Sequence, residues 1–221
     1  MNNGEQNQVG INELRKYALD IANLYLGKKN MSKQAKTLTT DELDKLLKYI
    51  ATRKHNLRDR ALVMASFLSG MRVGEMASLR IKDVVDGEGN VRNQILLTPA
   101  MTKGNQARVV FVSERLMGEL SKYVLILNLS NPELKFFYSQ KRRSNGFNPN
   151  TLTQFFHFLY KKAGIAGASS HSGRRSFLTS LSSKGISVRV LMSLAGHKHM
   201  STTQRYLDVN DNMLRSAVEL V

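Results

Sequence analysis

Residues 194–209 read LAGHKHMSTTQRYLDV. Ser187 and Ser201 are good N-caps, because a serine hydroxyl accepts a hydrogen bond from a free amide in a helix's first turn. Helices are therefore expected over 187–195 and 201–207. The stretch sets Gly196-His197 between those helices and Tyr206 near the end of the second. Working upstream, similar polar clusters fall at other expected element ends. His171-Ser172-Gly173-Arg174-Arg175 opens a helix over 170–184, behind Ser169-Ser170. Lys103 sits in Thr102-Lys103-Gly104, at the tip of an expected hairpin. Gly70-Met71-Arg72-Val73-Gly74-Glu75 follows an apolar helix over 57–69 that Gly70 closes.

The remaining elements follow from periodicity and caps. Thr39 and Glu42 form a capping box ahead of Leu43, Leu46, Leu47 and Ile50. Apolar-rich runs at 91–98 and 107–112 flank the Pro99–Gln106 loop and read as the hairpin. Ser113 caps a helix through about Leu129, Phe136–Tyr138 reads as a short strand, and helices are expected over 150–162 and 211–220. The sum is an α+β fold, mainly α, with one small antiparallel sheet. A first segment, 1–37, combines one amphipathic helix (Ile11, Leu14, Ala18, Ile21, Ala22, Tyr25) with a basic linker, and a compact domain is expected over 38–221.

Composition narrows the function. The 221 residues are 42% hydrophobic and 23% charged, ordinary values for a globular fold. Lys and Arg outnumber Asp and Glu by 33 to 17, a net charge of +16. Such an excess repels itself unless a polyanion meets it, so nucleic acid is the expected partner. The basic residues are spread along the chain without an amphipathic aromatic face, which argues against a membrane surface. There is no cysteine, so thiolate metal sites and cysteine nucleophiles are excluded. No carboxylate stands at ligand spacing from His171, His197 or His199, and no metal is expected. No nucleotide-binding motif appears and no cofactor is expected. The polar N-terminus has no signal-peptide pattern, which points to a cytoplasmic, nucleoid-associated protein.

The clusters supply what phosphoryl transfer without a metal requires. Forked guanidinium donors such as Arg72 and Arg174 match the nonbridging oxygens of a phosphodiester. A phenol such as Tyr206 can become a covalent phosphoester. Ordinary phenols titrate at about 10, so such a nucleophile needs help to lose its proton. His171 and Lys103 suit the acid and base tasks.

In order and spacing these parts resemble the tyrosine recombinases of the phage integrase family over residues 38–210. The matching features are Arg72 with Glu75, the hairpin Lys103, His171-x-x-Arg174, Gly196-His197, and Tyr206 nine positions after His197. The resemblance implies that Tyr206 attacks the scissile phosphate, leaving a 3′-phosphotyrosine and a free 5′-hydroxyl. It implies that Arg72, Arg174 and His197 hold the nonbridging oxygens, that Lys103 protonates the leaving oxygen and that His171 assists Tyr206. Glu75 would orient the Arg72 region. It also implies double-stranded DNA as partner, strand exchange without ATP or metal, and a homo-tetramer on DNA docked through the C-terminal helix. Directionality or host factors would be accessory partners. Lys141, Arg142, Arg143 and Arg175 are candidate DNA contacts.

Two departures stand out. Where the family usually reads His-x-Leu-Arg-His, this chain has Gly173 and Arg175; the glycine is expected to loosen a helix turn. Residues 1–37 are too few for the helical core-binding domain most members carry. The expectation is a short form, laid out like the small bacterial invertases that switch fimbrial genes, or a piece of a longer integrase. Two other functions fit the same residues: a topoisomerase-like nicking-closing enzyme, and a DNA-binding regulator without strand exchange.

Overall fold

The computed structural model describes residues 35–139, 146–206 and 218–219. The chain divides into two compact units, 1–34 and 35–221. The helix expected over Ile11–Tyr25, Lys141, Arg142, Arg143, and the helix over 211–220 apart from 218 and 219 lie outside the described residues.

The centre is helix α2, Asn56–Ser69, buried on nearly every side from Arg58 to Ser69. A helix buried on nearly every side is a core element. Helix α1, Thr40–Ala51, packs on it, started by the Thr39–Glu42 capping box. Two short helices then turn the chain: α3, Val73–Ser78, and α4, Ile81–Val84. Strands β1, Gln94–Leu97, and β2, Arg108–Phe111, form the antiparallel hairpin, with Leu97 opposite Arg108 and Gln94 opposite Phe111. Helix α5, Glu114–Val124, starts at the Ser113 cap and packs on α2. Helix α6, Pro149–Lys162, packs on α3. Helix α7, Ser172–Ser183, lies against α2, and α8, Val188–Ala195, and α9, Met200–Gln204, follow.

The α+β class with a small antiparallel sheet is the observed fold. Several expected bounds shift. Helix α5 stops at Val124, not near Leu129. Phe136–Tyr138 is not a strand. Its neighbour Lys135 makes one isolated bridge to Arg80, while Phe136 and Phe137 are core side chains, the first edge-on to Tyr123 and the second stacked on it. Aromatic density there reports burial rather than pairing.

Helix α2 also carries charge that its apolar reading passed over. Arg58 is 1% exposed and Asp59 is 0% exposed. Arg58 donates to Asp59 Oδ1 through Nε at 3.0 Å and Nη2 at 2.7 Å, and to Tyr138 O at 3.3 Å. Its guanidinium also lies over the rings of Tyr138, Phe147 and Phe155. A buried charge is tolerated only when paired and hydrogen-bonded.

Gly173 has a different reason from the loosened turn expected of it. A Cβ there would meet Ser66 Cβ at 2.8 Å and Phe67 Cδ2 at 2.9 Å. Helices α7 and α2 approach too closely for any side chain at this position, and that approach brings Arg174 to the end of α2. Gly173→Ala is expected to destabilise the protein by about 1–3 kcal/mol through overpacking. Denaturant unfolding followed by circular dichroism checks this. An unchanged midpoint would mean that the helices separate freely.

Candidate active site

Helix α8 ends in Leu194-Ala195, and Gly196 follows in the left-handed conformation with φ 59°. The last carbonyls of a helix have no partner within it and carry its negative dipole end. Three arginines meet them here. Arg108 Nη1 donates to Leu194 O at 2.9 Å, Arg174 Nη2 to Ala195 O at 2.7 Å and Arg72 Nη2 to Gly196 O at 3.1 Å. Gly196 is needed twice over, for its positive φ and because a Cβ would lie 2.5 Å from Arg108 Cδ.

Each arginine arrives from a different element. Arg72 is the N-cap of α3, where Gly70 has just ended α2. Arg174 sits in the first turn of α7, 4% exposed, and also donates from Nη1 to Gly70 O at 2.6 Å. Arg108 opens strand β2.

One carboxylate joins two of the three. Glu75, 1% exposed, accepts from the Arg72 amide at 2.7 Å and Arg72 Nη1 at 2.9 Å. It also accepts from Arg108 Nη2 at 2.6 Å and Nε at 3.3 Å. Burial alone would raise its pKa. The bonds and charge of Arg108, with the amide and charge of Arg72, outweigh that and hold the carboxyl below its ordinary range.

His197 follows Gly196. Arg174 Nη2 donates to its Nε2 at 2.8 Å, and its Nδ1 lies 2.9 Å from Thr203 Oγ1. Burial, then the charges of Arg174, Arg72 and Arg108, push its pKa down to about 4 against the opposing pull of Glu75, so the ring is neutral at pH 7. The Tyr206 ring stacks on it, with centroids 5.8 Å apart and planes 21° apart. Tyr206 also packs against a small cluster of Leu178, Leu191 and Ala195.

His171 precedes the first turn of α7, and its Nδ1 is 3.4 Å from Ser170 Oγ. Burial lowers its pKa, and the charges of Arg174, Arg72 and Lys103 lower it further. All three charges thus act on one imidazole. Lys103 itself is exposed in the turn between the strands. Arg175, read as a DNA contact, has its guanidinium 5.6 Å from the Tyr206 ring centroid and donates from Nε to Thr37 Oγ1 at 3.2 Å. Among the described residues, no three His, Asp or Glu side chains group closely enough to hold a metal ion. No described helix is long and apolar enough to cross a membrane.

The sequence reading missed two members of this site. Arg108 shares the inward phase of its strand with buried Val110, and a cation in that phase implies a buried anion. Thr203 is the one fully buried residue of α9, and a hydroxyl there implies a buried partner.

The phage integrase family model matches residues 36–213. The chain belongs to that family. It is similar to the tyrosine recombinase XerA of Pyrococcus horikoshii, 31% identical over 184 residues, which are 83% of this chain and 60% of that protein. It is also similar to the tyrosine recombinase XerD of Rickettsia bellii, 28% identical over 202 residues, 86% of this chain and 65% of that one. The chain thus spans about 60% of the length of the first of these curated relatives. A crystal structure of XerA recombinase aligns with TM-score 0.65 and 28% identity, over 84% of this chain and 64% of that chain. The XerH site-specific recombinase bound to difH, a pre-cleavage complex, shares the fold, with TM-score 0.62 and 23% identity over 86% of this chain and 55% of that one.

Removing the charge of Glu75 leaves Arg72 and Arg108 without their shared anion. Glu75→Gln is expected to destabilise the protein at pH 7 by about 3 kcal/mol, as for a broken buried pair. Because the native pKa of Glu75 lies below its ordinary 4.5, its stabilisation is complete above that value and is lost as pH falls through the native pKa. The gap between wild type and variant must therefore narrow in acid. Unfolding curves at pH 7 and below pH ~4 measure it, and a gap independent of pH would show that the pair is not ionic.

Proposed function

We propose that this chain is the catalytic part of a site-specific DNA recombinase that cuts and rejoins strands through a phosphotyrosine. The observation that carries the reading is the convergence of Arg72, Arg174, His197 and Tyr206 at the end of helix α8. The similar relatives named as tyrosine recombinases support it.

The steps follow from the geometry and charge. A phosphodiester enters between Arg72 and Arg174, whose remaining N–H groups face its nonbridging oxygens. Those donors and the helix-bound cations are already in place, so charge developing on the nonbridging oxygens meets fixed partners and requires no reorganisation. Tyr206 Oη forms a bond to phosphorus as the bond to the 5′-oxygen breaks. The phenolic proton passes to His171, which burial and its cationic neighbours keep neutral and able to accept it. Lys103 gives a proton to the departing 5′-oxygen. The diester is conserved as a 3′-phosphotyrosine, so a second strand's 5′-hydroxyl reverses the step and energy from ATP is not required. Glu75 and Arg108 touch no substrate; they hold Arg72 in position.

Strand exchange needs two duplexes, and we assign this chain to a homo-tetramer on double-stranded DNA, joined through its C-terminal helix. Directionality or host factors set the outcome, and the protein acts on DNA in the cytoplasmic nucleoid. The net charge of +16 supports a polyanionic partner and makes affinity fall steeply with salt.

The test is covalent trapping on nicked DNA from the flanks of the native gene, in EDTA. Wild type is expected to give an adduct that survives SDS and yields to protease, and Tyr206→Phe to give none. An adduct that persists in Tyr206→Phe would overturn the assignment. Plasmid relaxation without joined products would replace strand exchange with nicking and closing. Specific binding without any adduct would make the chain a regulator.

A further inference from the structure

The hydrogen bonds around His197 determine which ring nitrogen carries the proton. A guanidinium has donors and no acceptor. Since Arg174 Nη2 points at Nε2 from 2.8 Å, Nε2 must present its lone pair. The proton of the neutral ring is then on Nδ1, donated over 2.9 Å to Thr203 Oγ1. Thr203 is 0% exposed, so water does not compete for that proton. The ring face is covered by Tyr206, so the imidazole cannot turn freely to exchange its edges.

This is the wrong tautomer for a phosphate. A bare Nε2 repels an anionic oxygen, and only an N–H at that atom attracts one. A phosphodiester that draws Arg174 away from His197 therefore requires a proton at Nε2. The neutral ring changes tautomer, charge unchanged, by taking a proton from solvent at Nε2 and giving up the Nδ1 proton while its contact with Thr203 is transiently open. Nδ1 then becomes an acceptor and needs a donor. A hydroxyl serves both states, because it accepts from Nδ1–H and, after rotating its own O–H, donates to bare Nδ1. A carbonyl or a methyl group in the same place would not.

We infer that the Thr203 hydroxyl is a positioning group for His197 that reverses its hydrogen bond, holding Nδ1–H in the empty site and allowing Nε2–H to face a bound phosphate. The inference rests on the reading of this site as a phosphodiester site and assigns a residue to the step which that reading leaves open.

The imidazole 15N spectrum of the full chain without DNA reads the tautomer directly, with His197→Gln assigning the signal. The expected result is Nδ1–H for wild type and for Thr203→Ser. Thr203→Val, nearly the same shape, should move the ring toward Nε2–H. On nicked DNA, Thr203→Val should slow single-turnover cleavage about 10–100-fold, the range for removing the partner behind a functional histidine. DNA affinity should stay the same, and Thr203→Ser should restore the rate. In a His197→Gln background, Thr203→Val should cost nothing further. An Nε2–H tautomer in wild type overturns the inference, as does a Thr203→Val defect of equal size without His197. If Thr203→Val does not fold, the wild-type and Thr203→Ser spectra still decide. A wild type that forms no adduct overturns the function reading instead, and the DNA-free spectrum separates that failure from this one.

Discussion

Three consecutive carbonyls at the end of one helix organise this molecule. Leu194, Ala195 and Gly196 each accept from an arginine, and those arginines come from strand β2, helix α7 and the start of α3. Like charges repel, and three guanidiniums in one place would scatter in water. Here the negative end of the α8 dipole and the orphan carbonyls compensate them. Glu75 neutralises part of the remainder and ties Arg72 to Arg108. What is left is a fixed positive excess with unused donors. Arg174 spends N–H groups on Gly70, Ala195 and His197, yet a guanidinium has five donors, so others stay free for an anion.

The rest of the fold maintains that arrangement. Gly70 ends α2 and offers its carbonyl to Arg174, while the bare Cα of Gly173 lets α7 lie close enough to reach it. Helix α2 must therefore be held rigidly, and its buried Arg58–Asp59 pair does so from the other end, pinned by Arg53 and by the aromatic rings around Arg58. The structural pair lies near the start of α2, and the site arginines gather from other elements near the end of α2 and the end of α8.

Electrostatics also separates the roles of the two histidines. Burial, and then the charges of Arg174 and Arg72, lower the pKa of both, with Lys103 adding to the effect on His171 and Arg108 to that on His197. His197 is enclosed between Arg174, Thr203 and Tyr206, so its protons are dictated by partners. His171 lies at the start of α7 and, among the described residues, has Ser170 against its ring nitrogen, which suits the proton-transfer role proposed for it.

Local signals in the sequence were enough for the α+β class, the hairpin, most helix starts and the order of Arg72, Glu75, Lys103, His171, Arg174, His197 and Tyr206. Caps such as Thr39, Ser113 and Ser187 act within one turn, and a glycine after an apolar run ends a helix wherever the chain goes next. Arg108 and Thr203 were not legible in this way, because their partners lie on other elements: Glu75 and Leu194 for one, His197 for the other. Gly173 was misread for the same reason, since a missing side chain weakens a helix locally but permits contact with Ser66 and Phe67 across the core. Arg175, a candidate DNA contact, sits beside the Tyr206 ring, a neighbour that its position in the sequence did not announce. Sequence alone determined which residue types the chemistry had available and in what order. Tertiary structure decided which carbonyl, carboxylate or hydroxyl each one meets, because hydrogen bonds and ion pairs act over about 3 Å and only folding brings such distant positions that close.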